Sequence, residues 1–403
     1  MSASHEFPSS LTFFGSFPEN LSVKLFEPLR LVVLILVSIC VFLQAASAAP
    51  LRQQNVRVAL HKGVETVRLD GEGVLATDES GIPLRIVLPL QVKRSRENIA
   101  VGGVTVRKLV AASPAVMAVN GKKYRGTIEI APYDKGLLVV NELPLEDYLV
   151  GLINCEISSQ WPIDAVKAQA VVARTYAVYQ RNARADASYH LESSVLDQVY
   201  DGCDIEDSRA ARGVRETEGE ILAYGGQPIQ AFYHSNCGGR TELAENVWGY
   251  RLPYLQSVEC AYCSGNASSR WEQTIPLKKL ESLLKVGGVP VSGLRDIREG
   301  KRNESGRLVN LLLIGSRGTT TVTAVNFRKS VGYTVIKSTN FSVAVSDDGA
   351  QFAGAGYGHG VGLCQWGAKQ RAADGFTYRE ILAYYYPGAR LERLYGGQGD
   401  RAD

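Results

Sequence analysis

Asn141-Glu-Leu-Pro-Leu-Glu-Asp-Tyr-Leu-Val-Gly-Leu-Ile-Asn-Cys-Glu156, followed by Ile-Ser-Ser-Gln-Trp-Pro162, is the stretch where this 403-residue chain changes character. After Pro144, Leu145, Tyr148, Leu149 and Leu152 recur at helical spacing, with Glu146 and Asp147 in the first turn, where the helix dipole favours acids. Glu156 falls four residues after Leu152, so it extends the apolar stripe instead of the wet face. Ser158 to Pro162 breaks the chain, and Pro162 opens a second, alanine-rich helix that runs to about Asn182.

Upstream, short β-type runs alternate with turns: Val56–Leu60, Ile86–Leu90, Val104–Arg107, Thr127–Ile130 and Leu137–Val140. Gly102-Gly103 and Asn120-Gly121 supply turns, so residues 49–142 are predicted to be a β-rich N-terminal region. Residues 143–392 are predicted to hold a central helical catalytic core and a mixed α/β remainder with glycine-rich binding loops, giving an α+β fold class. Residues 205–300 read as strands and loops, and residues 308–345 as a further β-rich stretch. A last helix begins at Tyr378 and stops at Pro387-Gly388, and residues 393–403 read as a disordered tail.

The N-terminus has the pattern of an export signal. Arg30 precedes the apolar run Leu31–Leu43, and Ala46-Ser47-Ala48 has the small-x-small form of a cleavage site, so residues 1–48 read as a signal peptide. The protein is therefore expected outside the cytoplasm, periplasmic or at the cell surface, and peripheral to the membrane at most unless the signal stays as an anchor. Hydrophobic residues make up 45% and charged residues 21%, ordinary for a globular protein, and a net charge of +3 is too small to imply nucleic acid. Removing the leader leaves six cysteines, read as disulfides in an oxidising compartment. The alternative is a half zinc site at Cys260-Ala-Tyr-Cys263, borrowing Cys203, Cys237 or a histidine.

Three constellations carry chemistry. Glu156, in line with an apolar face, is suited to hold a proton near neutral pH and donate it, because desolvation raises a carboxyl pKa. On the second helix Lys167, Val171, Arg174 and Val178 form one row, so two cations stand about 10 Å apart on one face. They are candidates to bind a lactyl carboxylate or acetamido groups. In Tyr233-His-Ser-Asn-Cys-Gly-Gly239, His234 and Ser235 alternate faces of a strand, so a local dyad is geometrically poor and Gly-Gly reads as a tight turn beside a ligand. Gly356-Tyr-Gly-His-Gly-Val-Gly-Leu-Cys-Gln-Trp-Gly367 lacks the Gly-Lys-Ser/Thr of a phosphate loop. With Tyr357, His359, Gln365 and Trp366 it reads as a carbohydrate groove. Five histidines without a His-Glu-x-x-His make metal catalysis a poor reading.

Together, Asn141–Leu149, Cys155-Glu156-Ile157, Trp161-Pro162, Ala165–Tyr176, Tyr233–Gly239, Gly356–Gly367 and Tyr385-Tyr-Pro-Gly388 resemble the SpoIID/LytB family of sporulation and amidase-enhancer proteins. The resemblance implies a peptidoglycan lytic transglycosylase that cleaves the β-1,4 bond from N-acetylmuramic acid to N-acetylglucosamine in peptide-stripped glycan strands. It puts the single catalytic acid at Glu156 and basic residues at Lys167 and Arg174. Beside them, Tyr233, His234, Tyr357, His359 and Gln365 of the two glycine-bearing segments are the further substrate-binding candidates, and the resemblance puts a cell-wall amidase among the partners. The alternative within the same resemblance is a non-catalytic glycan binder that stimulates an amidase. Sporulation members carry a zinc-binding cluster before a Gln-Val-Tyr segment. Here that stretch reads His190-Leu-Glu-Ser-Ser-Val-Leu-Asp-Gln-Val-Tyr200. His190 matches one ligand, but Leu196 and Asp197 stand where a His-Cys pair would be, so that zinc site is expected to be absent and no metal or cofactor is expected for the protein.

Overall fold

A computed structural model describes residues 54–265 and 269–395, so the expected signal peptide lies outside the described residues. The architecture is α+β. Two six-stranded sheets occupy the N-terminal part. In the first, the strand Asn55–Val64 pairs antiparallel with Gly136–Pro144, which pairs in turn with Thr127–Tyr133. The second is built around Thr66–Gly71 and Leu90–Ser95. The predicted strand at Ile86–Leu90 is corrected here: the strand begins only at Leu90, because Pro89 has no N–H to give a ladder.

The strand Gly136–Pro144 runs directly into α1 (Leu145–Glu156), whose stripe Leu145, Tyr148, Leu149, Leu152 and Ile153 is buried. α2 (Ile163–Ala183) follows Pro162 and buries Val166, Ala170, Ala173 and Ala177 against the same core. That core combines side chains of both sheets with α1 and α2, so the expected boundary after residue 142 does not divide it. Small alanines on α2 let neighbouring elements approach closely, and burying each large apolar side chain of α1 contributes on the order of 1.5–3 kcal/mol.

A second core gathers Val171 and Val172 of α2 with Ile229, Leu255, Leu363, Ile381, Leu382 and Tyr385. A third is self-contained: Trp271, Leu280, Leu284, Leu311, Leu313, Phe327, Phe341 and Phe352 pack together. It belongs to two three-stranded sheets and the helices Leu277–Val286 and Ala324–Val331, inserted between Cys263 and Cys364. Both helices lie where the sequence reads as loop and strand, as does Ser208–Arg215, capped by the Asp207 side chain. Leu277, Leu280 and Leu284 do carry a helical spacing, but over fewer than three turns.

Residues 393–395 of the expected tail belong to the fold, and residues 396–403 lie outside the described residues. Arg393 pairs with Glu220 at the edge of a sheet, and Tyr395 is buried with its hydroxyl donating to Glu146 at 2.7 Å. Among the described residues no helix is long and apolar enough to cross a membrane.

Candidate active site

Glu156 is the last residue of α1, and Ile157 turns away into extended backbone. A carboxylate there faces the negative end of the helix dipole, with no basic residue in the last turn to offset it. Burial raises the Glu156 pKa above its ordinary value of 4.5, and no other carboxylate contributes to the shift. Three neighbours oppose the rise: the Val199 N–H, which donates to Oε1 at 3.0 Å, and the polar side chains of Tyr233 and Gln365 that face the carboxyl. The group is thus weighted towards its acid form, yet has donors in place for its anion.

Those donors are themselves held. Gln198, fully buried, accepts from the Tyr148 hydroxyl at 3.1 Å and donates to the Tyr233 oxygen at 3.2 Å. The Tyr233 hydroxyl is then free to turn its proton to Glu156. Gln365 opens the helix Gln365–Ala373 and donates to Gln169 of α2 at 3.4 Å. The strand pair Tyr233-His234 and Leu363-Cys364 runs parallel, which brings the Tyr233 and Gln365 segments side by side. Beside Gln365, Trp366 packs on Trp161 with ring centroids 5.1 Å apart, and Lys369 sits 4.4 Å above the Trp366 ring. This gives the site an aromatic and cationic flank.

The structure brings together Glu156, Tyr233 and Gln365, and sets His359 against the Tyr233 backbone. Arg174 is a correction. Its side chain is 0% exposed, and it grips Glu146 through two bonds of 2.8 and 2.7 Å. It also donates to the carbonyls of Val214 and Glu220, leaving nothing for a substrate. Lys167 points to Glu216 at 2.6 Å and over the Tyr378 ring. The predicted cationic row is real in helical phase, but Arg174 is taken up by the buried Glu146 and Lys167 pairs with the exposed Glu216 at the surface.

His234 is also corrected. It is 4% exposed and its Nδ1 donates to the Val361 carbonyl at 3.1 Å, so it lies in the interior, on the strand face opposite Tyr233. His359 accepts from the Val361 N–H at 3.0 Å and packs on Phe232, Trp248 and His234. Tyr357 is partly exposed beneath Lys337. Gly238 and Gly356 meet backbone to backbone at positive φ, and a Cβ on Gly238 would come within 2.9 Å of Ala355. Packing thus requires glycine at 238, while Gly239 has open space around it and is fixed by its φ of 114°.

Burial lowers the His234 pKa to about 3. A pKa depressed in the fold gives stability present above the unfolded value near 6.5 and lost as pH falls towards 3. Urea midpoints are therefore expected to drop across that window, and His234→Asn, which keeps a donor for the Val361 carbonyl, should flatten the drop. An equally steep loss in the variant would refute the assignment.

Sequence reasoning missed Gln198, Gln169, Tyr148 and the Val199 N–H as parts of the site. Tyr148 reads as one more member of an apolar stripe, and Gln198 is visible only as part of a Gln-Val-Tyr segment. At the His190 stretch, His190 Nδ1 accepts from the Arg57 N–H at 3.1 Å, while Asp197 pairs with Arg184 at 2.8 Å. The disulfide expectation is also corrected: all six cysteines from Cys155 to Cys364 are free.

At the junction of two helices of this α+β fold, the desolvated Glu156 is thus faced by Tyr233 and Gln365. Residues 133–224 match the family model described as stage II sporulation protein (SpoIID), and residues 245–362 match a domain of unknown function (DUF8618). A protein of Brachyspira hyodysenteriae described as uncharacterized is 34% identical over 306 residues, spanning 75% of this chain and 82% of its own. The amidase enhancer of Bacillus subtilis is 30% identical over 322 residues, 68% of this chain but 45% of that protein, so the chain spans under half of that relative. Stage II sporulation protein D of Bacillus subtilis is 27% identical over 328 residues, covering 77% and 91%. The chain belongs to the SpoIID/LytB family.

Proposed function

We propose that this protein is an exported cell-wall enzyme, a lytic transglycosylase that cuts the N-acetylmuramic acid to N-acetylglucosamine bond of peptide-stripped glycan. The observation that carries the reading is the lone, desolvated Glu156 with donors arranged for its anion. As an acid it protonates the glycosidic oxygen while the C1–O bond breaks. As a carboxylate it accepts the proton of the muramic C6 hydroxyl, whose oxygen bonds to C1, so the carboxyl is restored and no water is consumed. One carboxyl suffices because the nucleophile lies in the sugar, unlike the paired acids of glycoside hydrolases. Tyr233, Gln365 and the Val199 N–H stabilise the anionic stage. The Trp161–Trp366 pair offers a sugar-stacking face, and Lys369 offers a cation for the lactyl carboxylate exposed once the peptide is removed.

Because Gln365 lowers the Glu156 pKa, Gln365→Leu should raise it further. The reaction begins from the acid form, so the alkaline limb of the pH–rate profile is expected to move to higher pH. A limb that stays in place, or moves down, would contradict the role given to Gln365.

A second reading, glycan docking that stimulates an amidase, draws on the name of the amidase-enhancer relative. Purified protein mixed with peptide-stripped glycan, and separately with peptide-bearing wall plus an N-acetylmuramoyl-L-alanine amidase, distinguishes the two. Shortened strands in the first mixture support the enzyme. Intact strands together with faster peptide release in the second support the docking protein.

A further inference from the structure

Cys237, Cys260, Cys263 and Cys364 arrive from three distant segments and meet at one point. All four are buried, and their sulfurs all lie within 4.8 Å of one another. Cys237 follows the strand that carries Tyr233, Cys260 and Cys263 flank a single 3-10 turn, and Cys364 immediately precedes Gln365. Two disulfides would need two separate pairs, whereas these four sulfurs share one centre. Four thiolates about 2.3 Å from a central zinc stand about 3.8 Å apart at the corners of a tetrahedron. The Cys237 and Cys263 sulfurs are 3.4 Å apart. A cluster of several irons must fit its own metal and sulfide atoms inside the ligand set, and sulfurs this close leave room for one ion.

The surroundings are those of thiolates. The Cys237 and Gly367 N–H groups both donate to the Cys364 sulfur, at 3.3 and 3.4 Å, and the Tyr385 hydroxyl lies 3.1 Å from the Cys260 sulfur. Such outer donors orient metal ligands and spread their charge. Gly367 is required for the fit, since a Cβ there would come within 2.7 Å of the Cys260 sulfur. Arg307, 1% exposed, reaches in from the inserted module and donates to the Cys237 carbonyl at 2.5 Å. Its Nε and Nη1 have no hydrogen-bond partner, and its nearest carboxylate, Glu242, is 3.8 Å away and already holds Asn303 and Ser305. A buried, under-satisfied guanidinium is expensive unless negative charge stands nearby. Zinc with four thiolates carries a net charge of that sign.

We propose that Cys237, Cys260, Cys263 and Cys364 form a closed tetrathiolate site for one Zn2+, outside the His190 stretch; the metal site stands by itself, and only its positioning role rests on the catalytic reading. The ion ties the strand bearing Tyr233 to the helix bearing Gln365 and clasps both ends of the inserted module. It has no open position for a substrate, so its role is to position the donors that face Glu156.

The test is elemental analysis of the full mature chain, purified without chelators and under argon, with cobalt substitution alongside. The expected result is one zinc per chain, and a cobalt form with the thiolate charge-transfer and intense ligand-field bands of a tetrahedral tetrathiolate. Zinc should fall to none in Cys263→Ser and remain in Cys203→Ser. Mass-spectrometric disulfides among the four cysteines without bound metal would overturn the proposal, as would iron in place of zinc or full zinc retention in Cys263→Ser. The wild-type metal content and cobalt spectrum decide the matter even if Cys263→Ser fails to fold.

Discussion

Glu156→Gln is expected to slow glycan cleavage by about 10²- to 10⁴-fold, the range associated with loss of one general acid–base group. Glutamine preserves the shape of the side chain and can still bond Tyr233 or Gln365, but it can neither give the leaving oxygen a proton nor take one from the C6 hydroxyl. The same substitution carries a second, independent signature. The Glu156 pKa is raised in the fold relative to its ordinary 4.5, chiefly by desolvation. A raised folded pKa means that stability is fully present below the unfolded value and is lost as pH rises through the folded one. The glutamine variant escapes that loss. It should therefore be more stable than wild type at neutral pH, with the advantage vanishing below about pH 4.5. Chemical denaturation at the two pH values, beside a rate assay, reads both effects. A variant equally active, or less stable than wild type at neutral pH, would show that Glu156 is an ordinary helix-end acid.

Arg174→Ala should produce the largest loss of stability. Removing the guanidinium leaves the Glu146 carboxylate in the interior with only the Tyr395 hydroxyl and the distant Gly219 N–H, and strips the Val214 and Glu220 carbonyls of a donor. Breaking a buried pair in this way costs about 3–5 kcal/mol, against a typical total stability of roughly 5–15 kcal/mol. Adding Glu146→Gln to the alanine variant should recover part of the loss, because no buried charge is then left alone. If Arg174→Ala instead folds with wild-type stability and loses only affinity for glycan, the guanidinium is a substrate ligand after all.

The contrast between these two residues explains what was legible in the sequence. Helical phase finds α1 and α2, because Leu145, Tyr148, Leu149 and Leu152 leave only one face to bury. Phase also places Glu156 on that face, and the chemistry of a desolvated carboxyl follows. Phase aligns Lys167 with Arg174 equally well, yet it cannot say which partner waits opposite. Glu146 looks like a first-turn acid serving the helix dipole, whereas its use is to neutralise Arg174 across the α1–α2 contact. The grouping around Glu156 was hidden for a related reason: Tyr233 and Gln365 read as glycan-binding candidates, but Val199, Tyr233 and Gln365 lie 43, 77 and 209 positions from Glu156 and meet it only through tertiary packing. The four converging cysteines were hidden in the same way, since Cys260-x-x-Cys263 is a local signal and Cys364 is not. Short helices such as Leu277–Val286 escaped because fewer than three turns of periodicity do not outweigh flanking glycines and β-branched residues.

Cleavage by one carboxyl without water sets the proposed reaction apart from hydrolysis. Digesting peptide-stripped glycan in ¹⁸O-labelled water and weighing the new muramic ends by mass spectrometry tests it directly. Wild type should yield 1,6-anhydro ends, one water lighter than hydrolytic ends and free of heavy oxygen, and Glu156→Gln should yield almost none. Reducing ends that carry the label, or anhydro ends formed equally well by the glutamine variant, would contradict it.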